Sequence, residues 1–204
     1  MEKALIWSSW ILGAYLVGSV PFGYLIGRAL GVDVRTVGSK NIGATNVYRT
    51  VGKGWGLLAF ACDFIKGLLP TLLAVQFVST SSSLIPHPSS LPVCVGLAAV
   101  IGHTLTVFMR FRGGKGVATA FGMMMALAPY PSLLAFAVFV VTVWLSHYIS
   151  LGSMLAALAL AGLVWAFPAT LLLRVIVALI AVFVIYKHRS NIGRLVSGTE
   201  NKIY

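Results

Sequence analysis

Three segments of this chain concentrate the residue types that hold anions. The first, VGSKNIGATNVYRTVGKG at 37–54, interleaves Gly, Ser, Thr and Asn with Arg49 and Lys53. Glycines expose backbone N–H groups, and hydroxyl and amide side chains add donors, a combination suited to an oxyanion. The same composition also describes a polar loop built from turn residues. The second is RFRGGKGVAT at 110–119. Here the backbone amides of Gly113, Gly114 and Gly116, a helix N-terminus and the Lys115 ammonium are expected to converge on a phosphate. It is not a Walker A loop, which would need glycine where Met109 stands and a hydroxyl where Gly116 stands. A basic turn that only sets topology is the plainer alternative. The third is YKHRSNIGRL at 186–195, where a helical extension would put Arg189, Asn191 and Arg194 on neighbouring faces beside His188. A cationic anchor reaching into lipid headgroups explains that segment equally.

Other ionisable residues are few. Asp63 and Lys66 stand three apart within an apolar stretch, the spacing of a helical ion pair. Function and support of the neighbouring loop are both open readings of that pair. His103, in another apolar stretch, reads as a hydrogen-bonded core residue, and Asp33 and Glu200 as isolated carboxylates. No cluster of His, Cys and carboxylates is visible, which argues against metal catalysis. Cys62 and Cys94 lie in apolar segments without ligand-type spacing and read as reduced core residues.

The elements that must carry these segments are dictated by composition. Of 204 residues, 59% are hydrophobic and 9% charged. A soluble domain needs about a quarter of its residues charged, so lipid must be the solvent here. Apolar stretches run over 4–27, 54–78, 91–109, 115–129, 132–147, 149–167 and 169–187. The expected fold is all-α: a single domain over 1–204, a polytopic membrane bundle of about seven transmembrane helices. At about 20 residues per span, the first three and last two stretches are long enough. The fourth and fifth are short, separated by Pro129, Tyr130 and Pro131, and are expected to be tilted or partly spanning. The first stretch is too long for a signal-peptide core and lacks a cleavage motif, so it reads as a retained helix. STSSSLIPHPSS at 79–90 reads as an external loop.

The formal net charge is +11, and twelve of the fifteen Lys and Arg residues follow the first, third and seventh stretches. In a soluble protein such a charge would suggest nucleic acid, but here it reads as topology and lipid contact, with no nucleic-acid partner. The positive-inside rule puts that face in the cytoplasm, the N-terminus outside and the C-terminus inside.

Together, GSKNIGATN followed by Arg49, GGKGVAT and HRSNIGRL resemble the motifs of the membrane-integral, acyl-phosphate-dependent glycerol-3-phosphate acyltransferases of bacteria. SVPFG at 19–23, DFIKG at 63–67 and the Gly102–His103 pair agree, in the same order along nearly the whole chain. The resemblance implies an enzyme that moves a fatty acyl group from acyl phosphate to glycerol 3-phosphate, giving lysophosphatidic acid and phosphate. It implies no cofactor, and a multi-pass protein of the bacterial inner membrane with its site facing the cytoplasm. It implies catalytic roles for Ser39, Arg49, Lys115, His188 and Asn191. Substrate contacts would come from Asn41, Thr45, Asn46, Gly113, Gly114, Gly116, Thr119 and Ser153. Within these sets GGKGVAT would hold acyl phosphate, while Ser39, Asn41, Arg49, His188 and Asn191 surround glycerol 3-phosphate. Membrane lipid and the soluble enzyme that makes acyl phosphate are the further partners considered.

The residues by themselves support such chemistry. Both substrates are phosphate anions, and three cationic, donor-rich segments share one membrane face. Acyl phosphate is a mixed anhydride and already activated, so positioning and charge neutralisation suffice. The alternative is a transporter or channel for small organic anions, which also aims helix N-termini at its cargo. That reading expects an inverted repeat and polar motifs at the midplane, and the sequence displays neither.

Overall fold

Long apolar runs in lipid must satisfy their backbone groups internally, and this chain does so with helices throughout its described residues. The computed structural model describes residues 2–80 and 90–203, with side chains from Ala4 onward. Its helices are α1 Glu2–Ser19, α2 Phe22–Ala29, α3 Ala44–Thr50, α4 Lys53–Thr80, α5 Leu91–Thr104, α6 Val117–Leu127, α7 Pro129–Ser146, α8 Ile149–Leu163, α9 Leu171–Lys187 and α10 Arg189–Val196. A 3₁₀ turn, Val107–Met109, follows α5. Each expected apolar stretch contains a helix. Of the loop expected at 79–90, Ser79 and Thr80 close α4, Ser90 precedes α5, and 81–89 lie outside the described residues.

Four apolar stretches have spanning length: Ala4–Ala29, Lys53–Thr80, Leu91–Met109 and Pro129–Ser146. Leu171–Lys187 with Arg189–Val196 would be a fifth, bent by 56°, while Val117–Leu127 and Ile149–Leu163 are shorter. Two expectations change here. The fifth stretch is not short, because Pro129 and Pro131 lie in the first turn of α7, where a missing N–H breaks no intrahelical bond. The sixth is shorter than expected: α8 ends at Leu163 ahead of Pro168, which disfavours helical backbone in the residue before it. The chain resumes at α9, where the Thr170 hydroxyl accepts from the Leu173 N–H.

The described residues form two compact units, Met1–Leu127 and Ala128–Tyr204. In the first, glycine lets backbones touch. A Cβ on Gly18 would strike Ala99 on α5, and one on Gly102 would strike the Tyr15 carbonyl on α1. Likewise Gly67 on α4 lies against Thr119, and Gly122 on α6 against Phe64. Small residues at such crossings are how helices associate in lipid, where apolar burial alone provides no drive. In the second unit Gly152 on α8 seats against Phe139 and Val143 on α7 in the same way.

Candidate functional site

In the first unit the site begins with a broken helix. Pro21 has no N–H to continue α1, so α1 stops at Ser19 and α2 starts at Phe22. The break leaves carbonyls that lipid cannot satisfy. The Thr106 hydroxyl donates to Ser19 O, and the Lys66 ammonium donates to Val20 O over 2.8 Å. Lys66 Nζ also lies 2.7 Å from Asp63 Oδ1, with both side chains 3% exposed. His103 Nδ1 faces the same carboxylate oxygen at 3.5 Å. Asp63 and Lys66 thus belong to one buried frame joining the α1–α2 break to the end of α5.

That frame continues into the glycine loop. After the 3₁₀ turn, Arg110 and Phe111 adopt left-handed backbone, with φ 52° and 62°, and turn the chain back along the end of α5. The Gly113 N–H then donates to Thr104 O and the Gly114 N–H to His103 O, over 3.2 and 3.1 Å. These two amides therefore do not point at an anion, contrary to the expectation from sequence. The glycines are needed for closeness instead. A Cβ on Gly113 would collide with the His103 carbonyl, and one on Gly114 with the His103 imidazole. The chain then runs through Lys115 into the start of α6, which opens at Val117. Gly116, at φ 81°, makes the bend that opens the helix. Thr119 is fully buried at the α4–α6 crossing.

The 37–54 segment was expected to be a loop, yet it contains α3. The short helix carries Thr45, Asn46 and Arg49, and Asn46 organises what precedes it. Asn46 is 1% exposed. Its Oδ1 accepts from the Ser39 N–H at 2.9 Å, while its Nδ2 donates to Val34 O at 2.8 Å and Val37 O at 3.2 Å. Both halves of the amide are thus committed within the loop, leaving Ser39 and Lys40 exposed at its tip. Gly38 and Lys40, at φ 57° and 56°, shape the tip, and Asn41 Oδ1 accepts from the Gly43 N–H. Val34, Ile42 and Val47 pack beneath it with Ala59, and Met109 joins that cluster. The chain entering the glycine loop therefore rests on the 33–50 segment. Asp33 lies at its start, where Arg35 bonds it through side chain and backbone and holds its carboxyl at about 2.

In the second unit His188 sits at the bend between α9 and α10. Its Nδ1 lies 2.8 Å from Val184 O, and since a carbonyl only accepts, Nδ1 carries the hydrogen. Glu200, read as isolated, proves to be a buried hub. Its Oε1 accepts from Ser150 Oγ at 2.8 Å and Asn191 Nδ2 at 2.7 Å, and its Oε2 from Arg194 Nε at 2.7 Å. Burial raises the Glu200 carboxyl, but the bonds from Asn191, Ser150 and Arg194 outweigh it and hold the group below its ordinary value. Three residues further on, the Ile203 N–H donates to His147 O. Ser153 is buried, with its hydroxyl turned to Ile149 O on its own helix.

A family model described as glycerol-3-phosphate acyltransferase matches residues 8–198. The chain belongs to the glycerol-3-phosphate acyltransferase family. A relative from Trichlorobacter lovleyi bearing that name is 50% identical over 193 residues, covering 95% of each chain. One from Geotalea daltonii is 48% identical over 191 residues, covering 94% of each. Among solved structures, the chain is similar to PlsY (YgiH), an integral membrane glycerol 3-phosphate acyltransferase crystallised in its glycerol 3-phosphate form. That match has a TM-score of 0.89 and 38% identity, over 96% of this chain and 94% of the other. The lysophosphatidic acid form of PlsY matches with a TM-score of 0.86.

In this membrane-embedded acyltransferase of phospholipid biosynthesis, His103 and Glu200 hold buried contacts that sequence reading missed. His103 stood out in sequence only through its pairing with Gly102 and its place in an apolar stretch. Glu200 stands six residues from Arg194, but only folding brings Ser150 to it.

Proposed function

We propose that this chain transfers a fatty acyl group from acyl phosphate to a hydroxyl of glycerol 3-phosphate, forming 1-acyl-glycerol 3-phosphate and phosphate. The observation that carries this reading is the contact, through Met109, between the segment entering the glycine loop and the core under the Ser39 tip. Two donor-rich stretches thereby occupy the same end of the first unit, one for each phosphate. We assign the acyl phosphate to Lys115 and the backbone opening α6. Glycerol 3-phosphate is assigned to Ser39, Asn41, Thr45 and Arg49, with Asn46 bracing the tip. His188 and Asn191 keep the glycerol 3-phosphate role that the motif resemblance implies. Thr119 and Ser153, both buried, keep the substrate-contact role that the motif resemblance implies.

An acyl phosphate brings its own leaving group, so a donor-lined pocket supplies what the step requires: two anions held side by side and neutralised. The basic 28–53 and 110–115 stretches favour a cytoplasmic site and an extracytoplasmic N-terminus in the bacterial inner membrane. Purified protein in detergent, given palmitoyl phosphate and labelled glycerol 3-phosphate, is expected to yield labelled lysophosphatidic acid, and palmitoyl-CoA in its place is not. Turnover with the CoA ester alone would overturn the donor assignment. Cysteines introduced at 36–50 are expected to resist an impermeant reagent in intact cells, and their labelling would reverse the orientation.

A further inference from the structure

One buried group has no place in the chemistry above. Asp63, Lys66 and His103 are each at most 6% exposed, and they meet one another inside the first unit. Burying charge in lipid is costly unless the groups are paired and bonded. Here the pairing has a direction. At one end Lys66 is bonded to Val20 O, at the helix break. At the other, the His103 ring lies against Gly114 so closely that no side chain fits between them. The carbonyls of His103 and Thr104 hold the amides of Gly114 and Gly113. His103 therefore lies under the glycine loop with Thr104 beside it, and contacts the loop through both ring and backbone.

We propose that His103 is a positioning residue for the loop that receives the donor's phosphate, its ring set by Asp63 and Lys66. The ligand follows from the acyltransferase reading, on which this inference rests; the contact itself does not depend on it. Without the ring, Gly114 loses its support and the backbone from Lys115 to Ala118 loses its aim. His103 touches neither substrate in this scheme, so its effect belongs to one substrate only. The acyl phosphate pocket should loosen while the Ser39 tip, held separately by Asn46, stays as it is.

The test is a suppressor cycle on purified protein, with KM measured for palmitoyl phosphate and glycerol 3-phosphate separately. His103→Ala is expected to raise the palmitoyl phosphate KM roughly tenfold and leave the glycerol 3-phosphate KM within about twofold, a one-hydrogen-bond to two-hydrogen-bond scale of effect. Gly114→Ala, which collides with the ring, is expected to be at least as damaging. The double variant, with the collision removed, should be no worse than His103→Ala alone, since contacting residues are non-additive. Penalties that simply multiply, or equal shifts in both KM values, would overturn the proposal. If His103→Ala does not purify as a monodisperse protein, His103→Asn, slimmer but still polar, takes its place in the cycle with the same criteria. Failure of the acyltransferase reading looks different: the unmodified protein makes no lysophosphatidic acid. Titration with inorganic phosphate then decides the matter without turnover, weaker binding by the His103 variant supporting the proposal and equal binding defeating it.

Discussion

Asn191 Nδ2 donates to Glu200 Oε1 over 2.7 Å, tying the α10 motif to the chain's last residues. The same carboxylate reaches Ser150 on α8 and Arg194 on α10, so one acid joins three stretches of the second unit. Removing it should release all of them. Glu200→Ala leaves the Asn191 amide and the Arg194 guanidinium without their acceptor, a loss of about 1.5–3 kcal/mol per charge-assisted bond. A lowered melting temperature in detergent is expected, with Glu200→Gln in between. The pH dependence has a definite sign. Because the folded carboxyl titrates below its unfolded value, its stabilisation is complete above the unfolded pKa and disappears as pH falls through the folded one. Acid melting from pH 6 downward should be steeper for the unmodified protein than for Glu200→Gln. Parallel curves would deny Glu200 this role.

Asn46 is the brace of the Ser39 tip. Asn46→Asp keeps the shape and the acceptor for the Ser39 N–H, but turns a second oxygen toward the carbonyls of Val34 and Val37. Repulsion and two lost bonds, at about 1–3 kcal/mol for each buried group left unsatisfied, should distort the tip. The glycerol 3-phosphate KM is expected to rise tenfold or more with little change for palmitoyl phosphate. An unchanged value would mean that the tip does not touch that substrate.

Lys115→Met keeps the stem and removes a charge-assisted contact worth about 1.5–3 kcal/mol. The expected loss in kcat/KM is roughly 10- to 100-fold, with the protein still folded and in the membrane. Activity close to that of the unmodified protein would reduce the glycine loop to a topogenic turn.

Arg49→Lys retains charge but loses the bidentate fork. Arg49 occupies the last turn of α3, the helix whose Asn46 braces the Ser39 tip. Its replacement should raise the KM for glycerol 3-phosphate more than that for palmitoyl phosphate. The opposite pattern would exchange the two assigned pockets.

The glycerol hydroxyl must lose a proton as it attacks the acyl carbon. His188, its ring held by the Nδ1 bond to Val184 O, is one group to test, as the residue that orients the hydroxyl or takes its proton. The departing phosphate is a second acceptor, since its basicity rises as the acyl–oxygen bond breaks, toward a second pKa of about 6–7. A lost orienting bond costs about 0.5–1.5 kcal/mol, whereas general-base catalysis is worth about 10²–10⁴-fold. His188→Gln at saturating substrates from pH 6 to 9 is expected to show a modest fall in kcat with the profile intact. A fall of about a thousandfold, or loss of a limb near pH 6.5, would make His188 the base.

Much of this protein is legible in sequence because lipid makes the rules local. Each apolar stretch had to be helical, although α3 and the break between α1 and α2 were not expected. The basic loops and the three polar motifs are likewise visible as runs of neighbours. Only the packed chain decided what the polar residues do. Gly113 and Gly114 look like phosphate donors until the left-handed turn at Arg110 and Phe111 commits their amides to α5. Asn46 looks like a ligand until its amide is found spent on Val34, Val37 and Ser39. Lys66 meets Val20 across 46 positions, and Ser150 meets Glu200 across 50. A hydrogen bond needs its atoms within about 3 Å and aligned. Composition and spacing say which groups want partners, whereas helix crossings, set by where glycine admits another backbone, choose the partner each one receives.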